Sequence, residues 1–260
     1  MNRDQEQTSF HTEATGDGSP TLRLSGGGES MHHSGGAASE TCYIYQSVMA
    51  EAYKILPSAQ TCVVGLGLGY IEISWALISL KESLSNPQLR SFEICKELRD
   101  GFISWLENSS HEETNTNLYN QVCHSLQKIL KVPTDKVAVR ESLREAFKVF
   151  PVQEDLHSFI RKKEFDSLQY QSNIICYDAF SSKTNSELWE ESFLHDFVKG
   201  ICAQDCVWTT YACTGTLKKV LSESGFTVIK RPGFQGKRDS TLALRGIFKR
   251  DFPQSLSRTF

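Results

Sequence analysis

Thr61 to Glu72 reads TCVVGLGLGYIE, an apolar run interrupted by three alternating glycines, Gly65, Gly67 and Gly69, and followed by a stretch of helical character. Strand, tight glycine turn and helix in this order bring bare backbone against a ligand at a helix N-terminus, the arrangement by which βα units hold nucleotides and nucleosides. A turn that merely joins strand to helix is the plainer alternative. Gln88 to Ile94, QLRSFEI, reads as the second strand, and Glu93 near its end is placed to accept hydrogen bonds from ribose hydroxyls. Both nicotinamide dinucleotides and S-adenosylmethionine use such a unit. In the dinucleotide pattern GxGxxG the third position holds glycine or alanine so that helix and strand pack closely, and here it is bulky Tyr70. The GxGxG spacing therefore fits S-adenosylmethionine better. A nicotinamide oxidoreductase stays open as the alternative, although no hydride-transfer pair is evident.

The chain has 260 residues, 39% hydrophobic and 23% charged, with a formal net charge of -3. That is enough chain for one substantial core, and the balance gives no global attraction to nucleic acid or to an anionic membrane. The charge is uneven, however: Gly215 to Arg250 holds nine Lys or Arg residues against Glu223 and Asp239. A basic C-terminal face is expected. The eight cysteines form no CxxC pair, and the seven histidines add no spaced ligand set, so no metal site is expected; Cys202 and Cys206 come nearest to one. Free thiols fit a reducing cytoplasm. The N-terminal MNRDQEQTSF is no signal peptide, and no apolar stretch is long enough to cross a bilayer, which predicts a cytoplasmic protein.

Around the glycine turn, Phe10 to Leu24 has the pattern of a hairpin, with Gly16, Asp17 and Gly18 in the turn. A Gly/Ser/His-rich loop from Ser25 to Gly36 precedes a helical segment, Glu40 to Leu56. Helices are expected at Ile71 to Leu80, Lys96 to Leu106, Leu118 to Leu130, Asp155 to Lys162, Ser186 to Lys199 and Thr214 to Ser224, with Glu107 to Asn117 a polar surface loop. Phe147 to Phe150, Asn173 to Tyr177, Cys206 to Tyr211, Phe226 to Ile229 and Thr241 to Phe248 complete about seven strands, the last two as a hairpin. The resulting division is a tail without order over residues 1–14, a hairpin-and-helix extension over 15–60, the main α/β domain over 61–250 and a tail over 251–260.

Chemistry in such a sheet gathers at the carboxyl ends of its strands, which turns three separate acids into a set. Glu93 would hold the ribose, Asp155 the adenine amino group, and Asp178 would face the reacting atoms. Asp155 could equally cap the next helix and Asp178 order a turn. For Asp178 the functional reading is preferred, because DAF follows a fully apolar strand where an idle charge is costly.

An ordered series of motifs now resembles one family: TGDGSPTL from Thr15, GESMHHSGGAASETCYIY from Gly28, GLGLG from Gly65, DAFSSKTNSELW from Asp178, TYACTGTLKKVLSESGF from Thr210 and KRPGFQGKR from Lys230. The chain resembles the tRNA 5-methylaminomethyl-2-thiouridine biosynthesis methyltransferases, over about Thr15 to Phe248. The resemblance implies a class I methyltransferase fold, Rossmann-like with a mostly parallel sheet, that transfers the methyl of S-adenosylmethionine to the exocyclic amine of 5-aminomethyluridine at the wobble position. No flavin-binding second domain is visible, so the oxidase activity of bifunctional members is expected to be absent, and a monomer is expected.

By the same resemblance, Gly65, Gly67, Gly69, Glu93, Asp155, Asp178, Glu29 and Met31 belong to the cofactor site. His32 and Ser34 share the loop expected to close over the methionine part. Asp178 would orient the amine and accept its proton, with Phe180 as an apolar wall. Glu40 would line the substrate pocket, unless it only supplies charge at a helix N-terminus. Lys183 would meet a substrate phosphate or base, Lys218, Lys219, Lys230, Arg231, Lys237 and Arg238 would meet the phosphates of the anticodon arm, and Phe234 would stack on a splayed base or anchor its loop. Lys183 could equally be solvated, and Lys218 with Lys219 is also an ordinary helix-surface pair. The chain departs from the family pattern at Leu68, Ser182, Ala203 to Asp205 and Ser240, which leaves another amine substrate open and keeps a non-catalytic tRNA-binding module as another class.

Overall fold

The computed structural model describes residues 10–25, 28–107, 113–153, 155–161, 171–181, 183–236 and 239–257. Strands β1 (Phe10–Ala14) and β2 (Pro20–Leu24) form an antiparallel hairpin. The main sheet is built from β3 (Gln60–Val64), β4 (Gln88–Phe92), β5 (Ser172–Tyr177), β6 (Cys202–Thr210), β7 (Thr227–Arg231) and β8 (Ser240–Arg245), in the spatial order β4-β3-β5-β6-β8-β7. Neighbours from β4 to β6 pair in parallel, and β8 runs antiparallel to both β6 and β7. The helices are α1 (Ala37–Thr41), α2 (Ser47–Ile55), α3 (Tyr70–Lys81), α4 (Lys96–Glu107), α5 (Glu113–Leu130), α6 (Lys136–Val149), α7 (Leu156–Arg161), α8 (Glu191–Ile201), α9 (Gly215–Glu223), α10 (Ile247–Asp251) and α11 (Gln254–Ser257).

The central strands are apolar on both faces, as a sheet covered from both sides requires. Along β5, Ile174 and Cys176 face one core with Trp75, Phe102, Trp105 and Phe248, while Ile175 and Tyr177 face the other with Phe193, Phe197 and Trp208. The first core is closed by α1 to α6 and α10, the second by α7, α8 and α9. Burying a Phe, Leu or Ile side chain is worth about 1.5–3 kcal/mol each, so these two layers hold the strand ends, and hence the site, in place.

The hairpin is tied to α1 by Asp17. Its Oδ2 accepts the Ser39 backbone N–H at 2.9 Å and the Ser39 hydroxyl at 2.7 Å, while Oδ1 accepts Thr15 Oγ1 and the Ser19 N–H, both at 3.0 Å. Burial pushes this carboxyl up, but the hydrogen bonds from Ser19 and Ser39 outweigh it and hold it down at about 2. Between α1 and α2 the helix widens into a π-helical turn, Cys42–Gln46.

Several expectations are corrected. Among the described residues the main sheet has six strands: Phe147 to Val149 ends α6 instead of forming a strand, and beside β4 there is the isolated bridge Phe92 to Gln153. In Lys136–Val149, Asp135 caps the helix by accepting the Val137 N–H, and Val139, Leu143 and Ala146 recur at helical spacing on the buried face, which a reading for short strands overlooked. Phe10 to Ala14, placed in the tail by the boundary at residue 14, pairs along its length with β2; residues 1–9 lie outside the described residues. Helix α5 begins at Glu113, inside the expected loop, and the end of α10 and all of α11 fall within the expected C-terminal tail.

Candidate functional site

The carboxyl ends of β3, β4 and β5 open into a cavity of about 360 Å³, within the range of small-molecule sites. Gly65, Leu66 and Gly67 form one wall. Gly65 and Gly67 have φ of 90° and 52°, conformations that side chains resist, and Gly69 at 69° caps the N-terminus of α3. A Cβ at Gly69 would lie 2.4 Å from the Phe102 ring, so the glycine also lets α4 pack closely.

Glu93 closes this wall. Its Oε2 accepts the Gly67 N–H at 2.9 Å and its Oε1 the Cys95 N–H at 2.8 Å, while the Arg99 guanidinium donates to its carbonyl at 2.7 Å. Burial raises its pKa, with the Gly67 and Cys95 amides opposing. Next to it Ile94 is 71% exposed and faces the cavity, an apolar surface suited to a planar base. Sequence reasoning stopped one residue short of it. Asp155 lines the cavity and also does the plainer job: Oδ1 accepts the Ser158 N–H at 3.1 Å and Oδ2 the Ser158 hydroxyl at 2.5 Å, at the start of α7. Burial pushes Asp155 up, and the Ser158 bonds overcome that and lower its pKa.

Asp178 sits at the end of β5 with its backbone N–H on the Val64 carbonyl at 2.8 Å. Its Oδ1 accepts the Tyr45 hydroxyl at 2.5 Å. Burial raises its pKa well above the usual carboxylate value; the Tyr45 bond opposes this and the Glu40 charge adds to it. Tyr211, whose hydroxyl donates to the Ala179 carbonyl at 2.8 Å, completes this end with Phe180. Tyr45 and Tyr211 were not foreseen: the ETCYIY and TYAC motifs contained them, without a signal separating them from core aromatics.

The loop after β2 forms the outer wall. Met31 and His32 line the cavity, and Glu29 fastens the loop across it, its Oε2 accepting Ser181 Oγ at 2.9 Å and Thr184 Oγ1 at 3.0 Å. Glu40 lines the cavity as expected and accepts the His33 N–H at 2.7 Å, which makes it a loop anchor too. Ser34 is not among the lining residues; its carbonyl accepts the Gly16 N–H at 2.7 Å.

The basic residues are distributed differently from expectation. Arg231 is 3% exposed, donating to the Tyr43 carbonyl at 3.2 Å with its guanidinium 4.9 Å from the Tyr43 ring centre, so it braces the fold and is no phosphate ligand. Phe234 packs on His33 and Tyr43 with ring centres 5.5 and 6.2 Å apart, which is the anchoring role. Lys219 pairs with Glu191 at 2.7 Å and Lys230 with Asp239 at 2.6 Å; both pairs are solvent-exposed. Lys183 is exposed, Lys218 half-buried, and neither lines the cavity. Lys237 and Arg238 lie outside the described residues. Among the described residues Glu191, His195 and Glu223 bring ligand-type atoms within 4.8 Å of one another, but none of the three lines the cavity and Glu191 is already paired with Lys219. No helix among the described residues is long and apolar enough to cross a membrane.

Comparison with known proteins agrees with this geometry. The model of a family described as S-adenosyl-L-methionine-dependent methyltransferase matches residues 112–246, just over half of the chain. The tRNA 5-methylaminomethyl-2-thiouridine biosynthesis bifunctional protein MnmC of Hahella chejuensis is 41% identical over 76 residues, 29% of this chain and 12% of that protein. Its namesake from Leptospira borgpetersenii is 31% identical over 88 residues, 34% of this chain and 13% of that protein. The matched stretches thus span about an eighth of these relatives. The crystal structure of MNMC2 from Aquifex aeolicus superposes with a TM-score of 0.62 at 21% identity, covering 92% of this chain and 72% of that one, and so shares the fold.

Proposed function

The chain belongs to the family of S-adenosyl-L-methionine-dependent methyltransferases, and we propose that it methylates the exocyclic amine of an aminomethyl group on the wobble uridine of tRNA. One observation carries the reading. Among the described residues the cavity is lined by the acids Glu29, Glu40, Glu93, Asp155, Asp178 and Glu187 and by no lysine or arginine. Such a lining attracts cations, a sulfonium at one end and an alkylammonium at the other, and repels the pyrophosphate of a nicotinamide dinucleotide. The curated relatives named above, whose names refer to tRNA 5-methylaminomethyl-2-thiouridine biosynthesis, point to the same substrate.

The residues fit the cofactor. The glycine turn from Gly65 to Gly69 and the Glu93 carboxylate would hold its ribose and tail, Ile94 and Asp155 its adenine, and Met31 would cover it. When bound, S-adenosylmethionine supplies a methyl group already activated on sulfur. Asp178 and Tyr211 then orient the incoming nitrogen, and Phe180 keeps water from the reacting centre. A primary alkylammonium has a pKa near that of lysine, about 10.4, and must lose a proton before its nitrogen can attack. Asp178 takes that proton: burial makes it a stronger base than an exposed aspartate. With that proton held by Asp178, the free amine would be methylated by the bound cofactor and would leave as a secondary ammonium.

Lys183, Lys218 and Lys230, with Lys237 and Arg238, are assigned to the phosphates of the anticodon arm. Calorimetry tests the cofactor assignment: micromolar binding of S-adenosylmethionine and no binding of NAD is expected, and the reverse order would overturn it.

A further inference from the structure

Tyr43 and Tyr45 lie two residues apart on one π-helical turn and reach different parts of the molecule. We propose that Tyr45 is a positioning residue for methyl transfer: the π-helical turn Cys42–Gln46 aims its hydroxyl at Asp178 and so fixes that carboxylate for the substrate amine. The role rests on the assignment of Asp178 to that amine above.

The turn is held from outside the helix. Each residue of an α-helix turns by about 100°, so the extra residue of a π turn rotates the helix after it relative to the helix before it. Such single π turns inside α-helices are frequent at functional sites. Here the affected carbonyls are taken up by side chains: the Ile44 carbonyl accepts Thr209 Oγ1 of β6 at 2.6 Å, and the Tyr43 carbonyl accepts Ser47 Oγ at 2.9 Å and Arg231 Nη2 of β7 at 3.2 Å. Tyr43 is thereby directed to the loop between β7 and β8, its hydroxyl donating to the Pro232 carbonyl at 3.0 Å. Tyr45, 3% exposed, is directed to Asp178 at 2.5 Å.

The chemistry of the pair is set by its surroundings. Burial and then the Asp178 charge raise the Tyr45 phenol well above its ordinary pKa, so Tyr45 acts as donor throughout and takes no proton itself. Among the described residues it makes the one side-chain hydrogen bond to the Asp178 carboxylate, occupying Oδ1 and leaving Oδ2 for the amine. Titratable groups coupled electrostatically to Asp178 include Glu40 of α1, Glu72 of α3, Cys176 of β5 and Tyr211 after β6, all anionic or neutral. The Tyr45 hydrogen bond acts in the opposite direction and favours the ionised carboxylate, which is the form able to accept a proton.

The test uses Tyr45→Phe and, away from Asp178, Thr209→Val, which removes the hydroxyl holding the π turn. Carbon-13 carboxyl labelling of aspartate, with the Asp178 signal assigned by its loss in Asp178→Asn, reads the titration of Asp178 directly without substrate. In Tyr45→Phe the midpoint should rise by about one pH unit, a tenfold change in proton affinity, with Thr209→Val moving it less in the same direction. Single-turnover methyl transfer should fall by about 10- to 100-fold and its acid limb should move to higher pH, with cofactor affinity changed less than about twofold. A mere packing defect would lower the rate equally at every pH and loosen the cofactor. Superimposable Asp178 titrations overturn the proposal, and should Tyr45→Phe not fold, Thr209→Val decides it by the same titration. If the wild-type protein methylates no amine-bearing RNA while the Asp178 midpoint still shifts, the substrate assignment fails and the Tyr45–Asp178 relationship stands.

Discussion

Gly65 and Asp178 meet backbone to backbone: a Cβ at Gly65 would lie 2.6 Å from the Asp178 carbonyl oxygen. The turn assigned to the cofactor and the strand end that carries the carboxylate assigned to the amine therefore share one contact, made possible by a residue without a side chain at a φ of 90°.

Gly65→Ala should disturb both functions at once. The positive φ alone costs on the order of 1–3 kcal/mol, and the clash must be relieved by moving Asp178. The expected result is a Tm lower by several degrees, weaker S-adenosylmethionine binding and a lower methyl-transfer rate. Unchanged cofactor affinity by calorimetry would disprove the contact.

Glu93→Gln retains the shape of the side chain while turning an amide NH₂ toward either the Gly67 or the Cys95 N–H, both of which the carboxylate now accepts. Hydrogen bonds to charged groups are worth about 1.5–3 kcal/mol, so cofactor affinity should fall by roughly one to two orders of magnitude. An affinity within twofold of wild type would remove Glu93 from the ribose site.

Glu72 makes stability depend on pH in an unusual direction. It is fully buried, with Ser91 Oγ donating to Oε1 at 2.6 Å and Oε2 without a partner among the described residues, and burial pushes its pKa up to about 8. The native state holds this proton more tightly than the unfolded chain, so stability present below about pH 4.5 is lost as pH rises toward 8. Glu72→Gln should abolish that loss: the Tm difference, variant minus wild type, should grow from pH 5 to pH 8. A difference independent of pH would contradict the buried neutral acid.

Neighbouring Lys230 and Arg231 should behave oppositely. Lys230 is an exposed partner of Asp239, and a solvent-screened pair of this kind adds little to stability. Lys230→Ala should leave Tm nearly unchanged and reduce the salt slope of tRNA binding by about one. Arg231→Ala removes a buried cation packed on Tyr43 and should lower Tm by several degrees. Melting curves and salt titrations together decide, and loss of tRNA affinity in a fully stable Arg231→Ala protein would restore Arg231 to the interface.

The parts of the fold that were legible are those fixed by local pattern. The GLGLG turn, the apolar run before Asp178 and the acid ending QLRSFE each carry their signal within a few residues, and the cavity gathers all three. Tyr45 was illegible because a π turn has no local propensity signature; it depends on Thr209 and Arg231, which lie more than 160 residues away. Arg231 was misread for the same reason, since a charge within KRPGFQGKR gives no sign that Tyr43 buries it. The strand expected at Phe147 failed because β-branched and aromatic residues at a helix end resemble a short strand when the helix before it goes unrecognised.

The central claim is decided by incubating the protein with methyl-labelled S-adenosylmethionine and tRNA from cells blocked at the aminomethyl stage, then digesting the tRNA and identifying the labelled nucleoside. Label in 5-methylaminomethyluridine or its thiolated form is the predicted result. Cofactor binding with no label in that nucleoside would contradict the account.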